Sequence, residues 1–360
     1  MSLALLLLSC TAAAAQRPDT MLDSLQPGQT IHGFETRALY LNDADRPFGG
    51  RFVHRATGFT LDLLRIESVP QGLIWVTTYP TSDMGEPHTQ EHLLMVKGDM
   101  GRAVFNLESM SLADSMAYTT PWRTCYDFLT KAGPEVFFQQ FERRLDALLH
   151  PDYTDEEIRR VVRNFGLTVS PGGSLKLEEK GEVYSEMLSG TGQVSHHPHR
   201  AFLLAAYGLE HPLAFFAAGL PEGLRALRPE HIRAFHAANY HLANMGMIGA
   251  FPKTMTLGAT LVRLDAALVC LQGQGPRRLA RTAADLPAPR PAPAGQIQIL
   301  EYPHKNEQQP GLVCFGWPAS RTLDPLGFQL LNLFLNNIAG DATTNLYKRF
   351  VDSRTREVDI

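Results

Sequence analysis

Residues 87–98 read PHTQEHLLMVKG and set His88, Glu91 and His92 within five consecutive positions. Helical residues four apart lie on one face, one turn above the other. The spacing therefore predicts a helix from about Pro87 whose two imidazoles stand side by side, spaced to grip one metal ion. Glu91 projects to the flank of that pair, where a carboxylate reaches a water at the metal without being a ligand. Zinc suits the set, because it accepts imidazole and carboxylate and favours four-coordination. A catalytic zinc usually has three protein ligands and one open position. The fold must then carry a distant donor against this helix, and that demand constrains the chain more than any other feature.

The best donor region is LKLEEKGEVYSEMLSG, residues 175–190, which reads as a helix ending near Gly190. In that helix Glu179 and Glu186 are seven apart, which is two turns, so both point the same way. Glu182 is one turn from Glu186 and near the same stripe, so periodicity leaves it open as the third ligand. The bland alternative is a solvated acidic helix face and a histidine pair bonded to backbone.

The rest of the chain gives these helices a setting. From Gly33 to about Pro80 the pattern is strand-like: RFVHRATGFTLDLLRI alternates around a turn, and GLIWVTTYP is a β-branched and aromatic run. EVFFQQFERRLDALLH (135–150) puts Phe138, Phe141, Leu145, Leu148 and Leu149 on one helical face, and Pro151 ends it. Thr154 is an N-cap for the next helical stretch, PGGS (171–174) marks a loop, and Pro229 fits the first turn of a further helix. ANMGMIGAF reads as a buried strand. Strands, then helices, then a strand is an α+β order rather than a regular βαβ alternation. SHHPHR (195–200) holds three histidines, but Pro198 argues for a loop there.

The net charge of −4, with no long basic run, argues against nucleic acid as the main partner. The opening residues 1–16, MSLALLLLSCTAAAAQ, are too short an apolar run to span a bilayer and read as an export signal. LLSC resembles a bacterial lipobox, which would lipidate Cys10 and place the protein at the cell envelope or in the periplasm; cleavage in the Ala12–Ala15 run is the alternative. Cys125, Cys270 and Cys314 form no CxxC pair and read as small buried hydrophobes.

H-x-x-E-H, rather than H-E-x-x-H, is the inverzincin signature. With it, RFVHRATGFTLDLLRI, AYTTPWRTCY (117–126), EEKGEVYSEM (178–187), GLPEGLRALRPEHIRAFHAANYHLANMGMIGAF (219–251) and NLYKRFVDS (345–353) occur in order. In these stretches the chain resembles the pitrilysin/insulinase-type zinc metallopeptidases, most closely their presequence-protease branch. The resemblance implies an α+β, mostly antiparallel sheet packed with helices in a catalytic domain over 33–275. By composition, AADLPAPRPAPAG (283–295) reads as a stiff linker, placed over 276–295; a truncated second domain over 296–360 is expected after it, with strand patterns in IQILEYP and GLVCFGWPAS and a helical one in LGFQLLNLFLNNIAG.

The resemblance further implies one zinc ion held by His88, His92 and Glu186, Glu91 as general base, and Glu179 orienting a ligand. It implies unfolded peptides as substrates, bound as an added strand along a sheet edge at Met116, Ala117, Tyr118 and Thr119. A chamber of two similar halves would enclose them, so a missing C-terminal half or a partner subunit is expected. Two positions depart from the family pattern. Met116 stands where the family usually has Asn, and a thioether cannot usefully hydrogen-bond a peptide backbone. Gln90 replaces the usual apolar residue between the ligands, and a change in packing alone is expected from it.

Overall fold

The structure is a computed structural model that describes residues 21–191, 196–272, 281–290, 295, 297, 299, 301 and 324–350. The export signal with Cys10, the strand candidate GLVCFGWPAS with Cys314, and parts of the linker and of IQILEYP lie outside the described residues. The chain divides into two units, Met1–Leu188 with Phe215–Leu286, and Ser189–Ala214 with Pro287–Ile360.

In the first unit a short helix α1 (Met21–Ser24) precedes strands β1 (Thr30–Ile31), β2 (Phe34–Leu41), β3 (Pro47–His54), β4 (Thr60–Arg65) and β5 (Gln71–Thr77). Helices α2 (Glu86–Val96) and α3 (Gly98–Met110) follow, then the hairpin β6 (Ala113–Thr119) and β7 (Arg123–Thr130). Next come α4 (Pro134–Leu149), α5 (Asp155–Val162), a second hairpin of β8 (Asn164–Val169) and β9 (Leu175–Lys180), and α6 (Glu182–Thr191), which belongs to this unit as far as Leu188. Helix α7 (His196–Tyr207) belongs to the second unit. The first unit resumes with α8 (Pro221–Ala226), α9 (Pro229–Asn239), strand β10 (Met245–Phe251) and α10 (Leu257–Gln272). In the second unit the apolar helix α11 (Pro325–Ala339) is followed by α12 (Asn345–Phe350).

Eight strands form one sheet in the order β1-β2-β3-β4-β10-β5-β7-β6. Every pairing is antiparallel except β10 with β4. The strand expected from ANMGMIGAF is thus inserted in mid-sheet, and β6 is a terminal strand. The fold is α+β with a mostly antiparallel sheet, as expected.

The helices cover one sheet face because alternate residues of the strands are apolar. Along β5, Gly72, Ile74 and Val76 are buried while their neighbours are half-exposed. Phe137 of α4 stacks on Phe128 of β7, with ring centroids 5.1 Å apart, and meets Phe251 of β10 edge-on at 5.2 Å. These contacts lock helix to sheet at the aromatic spacings that favour offset and T-shaped pairs. The expected apolar face of α4 is present, except that Leu149 is only half-buried and Phe137 is fully buried. Thr154 caps α5 in a full capping box with Glu157, which satisfies two orphan N–H groups reciprocally.

Three expectations are corrected. Residues 175–190 are not one helix: Leu175–Lys180 is a strand paired with β8, and α6 starts only at Glu182. The break falls at Gly181, whose φ of +138° lies outside ordinary helical space, and where a Cβ would stand 2.6 Å from the Val162 carbonyl oxygen. The segment around Pro198 is helix rather than loop, since proline in a first turn forfeits only an N–H that has no helical partner. Cys125 is buried as expected, but Cys270 is exposed, on the outer face of α10. Among the described residues no helix is long and apolar enough to cross a membrane.

Candidate metal centre

The motif helix is buried almost all round, with His88, Thr89, Gln90, Glu91, Leu93 and Leu94 all inside. Its start is pressed against another backbone. Gly85, at φ +76°, would bring a Cβ within 2.8 Å of the Ala218 carbonyl oxygen, so only glycine allows this approach. The same carbonyl lies 3.3 Å from His88 Nδ1, which leaves Nε2 of that ring aimed at the next turn. There it lies 3.1 Å from His92 Nε2. Burial, and then the charge of His92, push the His88 imidazole below its ordinary pKa. That shift favours the neutral imidazole, the form that binds a metal.

The third group comes from α6. Glu186 Oε2 is 3.6 Å from His88 Nε2 and 3.5 Å from His92 Nε2. Adjacent ligand atoms around a tetrahedral zinc, each about 2.0–2.1 Å from it, are ~3.3 Å apart. The observed triangle of 3.1, 3.5 and 3.6 Å matches that edge length, with two imidazoles and a carboxylate as the donor set. Among the described residues this is the one group of three or more such side chains close enough to share an ion. The residues present fit zinc.

Glu91 lies beside the triangle, 9% exposed, and its Oε2 accepts a hydrogen bond from Thr119 Oγ1 at 2.6 Å. Thr119 is the last residue of β6. That bond orients Thr119 toward the helices, and Ser115 does the same by donating to Glu108 at 2.6 Å. Side chains alternate along a strand, so Ala117 shares the helix face with Thr119 while Met116 and Tyr118 are exposed on the other. The four residues expected to hold substrate therefore divide between two faces. On its free side β6 has no strand neighbour among the described residues.

Glu179 is not on the helix of Glu186, so the two-turn argument that aligned them fails. It sits near the end of β9 and accepts from Arg225 Nη2 at 2.8 Å, from Tyr184 Oη at 2.6 Å, and from Arg163. Arg225, then Tyr184 and Arg163, hold its carboxyl well below the usual range. Through Tyr184 it fastens the first turn of α6.

Sequence reasoning missed two partners. Glu182, left open as a ligand, lies 3.6 Å from His92 Nδ1, and its other oxygen accepts from Lys97 Nζ at 2.7 Å. Lys97 follows the motif helix directly, and a lysine one turn past a metal pair is the signal that could have pointed to it. Gln90 does more than change packing: its Oε1 accepts from the Tyr153 hydroxyl at 3.1 Å deep in the core.

An uncharacterised protein of Saccharomyces cerevisiae is 28% identical over 260 residues, covering 68% of this chain and 23% of that protein. The mitochondrial presequence protease of Eremothecium gossypii is 29% identical over 250 residues, covering 66% of this chain and 24% of its own length. The crystal structure of pitrilysin superposes with a TM-score of 0.50 at 14% identity, over 69% of this chain and 26% of the pitrilysin chain. The chain has the pitrilysin-like fold. It spans about a quarter of the length of the curated relatives it matches. No protein-family model matches the sequence. Within the pitrilysin-like unit the candidate centre lies where α2 and α6 meet, beside the terminal strand of the sheet.

Proposed function

We propose that this chain is the catalytic portion of a zinc endopeptidase that hydrolyses short unfolded peptides. The observation that carries the reading is the triangle of His88 Nε2, His92 Nε2 and Glu186 Oε2, of tetrahedral-zinc dimensions, with a buried carboxylate beside it. Zinc, when bound, supplies Lewis acidity and lowers the pKa of water toward neutrality.

His88 and His92 would offer their Nε2 lone pairs, and Glu186 an oxygen. Glu91 would take the proton of the attacking water and pass it to the leaving amine nitrogen. The Thr119 hydroxyl, bonded to Glu91 Oε2, would hold that carboxylate in one orientation. The free edge of β6 would offer backbone N–H and C=O groups to an extended peptide. Strand addition reads backbone, so selectivity for sequence would be loose. Residues 33–275 would form the catalytic domain and 296–360 the start of a second, similar one. A further half of a longer protein, or a partner subunit, would close a chamber over the site. The N-terminal segment with Cys10 would direct export to the cell envelope, with or without lipid.

The test is cleavage of an unstructured fluorogenic peptide, with and without a chelator, beside a Glu91→Gln variant. Cleavage that stops with chelator and in the variant supports the reading; full activity in Glu91→Gln sinks it. A second reading, a non-catalytic pitrilysin-like scaffold or partner subunit, draws support from Met116, whose exposed thioether gives a peptide backbone no useful hydrogen bond. Stoichiometric zinc without any peptide cleavage would favour it.

A further inference from the structure

We infer that Glu182, steadied by Lys97, is a positioning residue for His92, taking the Nδ1 side of the ring so that the Nε2 lone pair faces His88 and Glu186. The inference rests on the zinc reading above and names a residue which that reading does not use.

One turn of α6 presents two carboxylates to the two nitrogens of a single imidazole. Glu186 Oε2 is 3.5 Å from His92 Nε2, and Glu182 Oε2 is 3.6 Å from His92 Nδ1. A neutral imidazole carries one N–H and one lone pair. If Nε2 is to bind a metal, the proton belongs on Nδ1, and an anionic acceptor on that side favours this tautomer. At 3.6 Å the contact is longer than a hydrogen bond and acts as a charge–dipole contact between the carboxylate and the neutral ring. What keeps the carboxylate there is its other end: Oε1 accepts from Lys97 Nζ at 2.7 Å.

Lys97 caps the C-terminus of the motif helix, so the helix that carries His92 also carries the clamp on the residue that orients it. His88 has the equivalent arrangement in neutral form, with the Ala218 carbonyl facing its Nδ1. Both histidines thus have an acceptor on the Nδ1 side, and both Nε2 atoms face the same point. Glu179, the residue that the family resemblance suggested for this role, is committed to two arginines and a tyrosine.

The experiment uses the full chain and its Glu182→Ala, Lys97→Met and Glu186→Ala variants. Zinc affinity is measured by competition with a chromophoric chelator. The ring tautomer of His92 is read by 15N–1H correlation in zinc-free protein. With Glu186 facing Nε2, the wild type is expected to show a larger Nδ1–H fraction at His92 than Glu182→Ala does. Glu182→Ala should keep one zinc per chain but bind it about 10–100-fold more weakly, with the tautomer shifted toward Nε2–H. Lys97→Met should move both readouts less, in the same direction. Unchanged affinity and tautomer in Glu182→Ala would overturn the inference. So would loss of stoichiometric zinc as complete as in Glu186→Ala, since Glu182 would then be a ligand. If the wild type takes up no zinc, the endopeptidase reading fails separately. The tautomer comparison still decides the Glu182 contact: a switch in Glu182→Ala supports it and no switch overturns it.

Discussion

The two helices that build the centre are held in opposite ways. Helix α2 is packed on nearly every side, and three of its buried polar residues meet partners there: Gln90 with Tyr153, Glu91 with Thr119, His88 with the Ala218 carbonyl. Helix α6 buries only Val183 and Tyr184, with Met187 packed half-buried against the core, and Tyr184 bonds Glu179; its two carboxylates stay roughly half-exposed, with Glu186 at 53%. His88 is therefore fixed by the core, whereas the His92 side chain is 25% exposed and, like Glu186, is held by polar contacts near the surface. Such contacts are individually weak and screened by salt. The difference gives the site a rigid half and an adjustable half.

The largest expected effect tests the rigid half. Glu91→Gln keeps the shape of the side chain and removes the base, so peptide hydrolysis should fall by about 10²–10⁴-fold while zinc content, read by atomic emission, stays at one per chain. The paired substitutions His88→Ala and Glu186→Ala come next. Both should lose stoichiometric zinc. Only His88→Ala should also lower the thermal stability of the zinc-free protein, by about 1–3 kcal/mol, because it alone empties a buried position. Equal stability losses in the two variants would break the contrast between the helices.

Gly181→Ala probes how α6 is launched. A Cβ at φ +138°, 2.6 Å from the Val162 carbonyl, should displace the helix and weaken zinc binding more than it alters the far-ultraviolet circular dichroism. Thr119→Val removes the hydroxyl from Glu91 at nearly constant volume. Its cost should appear in kcat, about 10-fold, as expected for a hydrogen bond to a charged group.

The smallest effect is a pH dependence away from the site. Burial pushes the Glu157 carboxyl up, but the Thr154 backbone N–H, the Arg102 guanidinium, the Gly98 N–H and the Thr154 hydroxyl outweigh it and hold the group at about 2. A depressed folded-state pKa stabilises above the unfolded value, near 4.5, and that contribution is lost as pH falls toward 2. The stability gap between wild type and Glu157→Gln, followed by urea unfolding, should thus be full at pH 6 and shrink steadily below pH 4.5.

The sequence by itself determined what is local. The four-residue spacing of His88 and His92, the apolar period of α4, the capping pair Thr154 and Glu157, and the alternation from β2 to β5 are all set by helix and strand geometry acting within a few residues. So is the apolar run of β10, although its place between β4 and β5 is not. The tertiary structure decided what came from far apart. Periodicity extended one helix across 175–190, because Glu and Lys suit helices; pairing with β8 and the close approach at Gly181 made 175–180 a strand instead. That break removed Glu179 from the stripe and committed it to Arg225 and Arg163, residues 46 positions ahead and 16 behind in sequence. It also left Glu182 and Glu186 as a single exposed turn facing the two nitrogens of His92. Spacing could say that a third ligand was needed. Only the packing of α6 against α2 could say which carboxylate meets which nitrogen, because that depends on contacts between segments some ninety residues apart, on which local propensity has no hold.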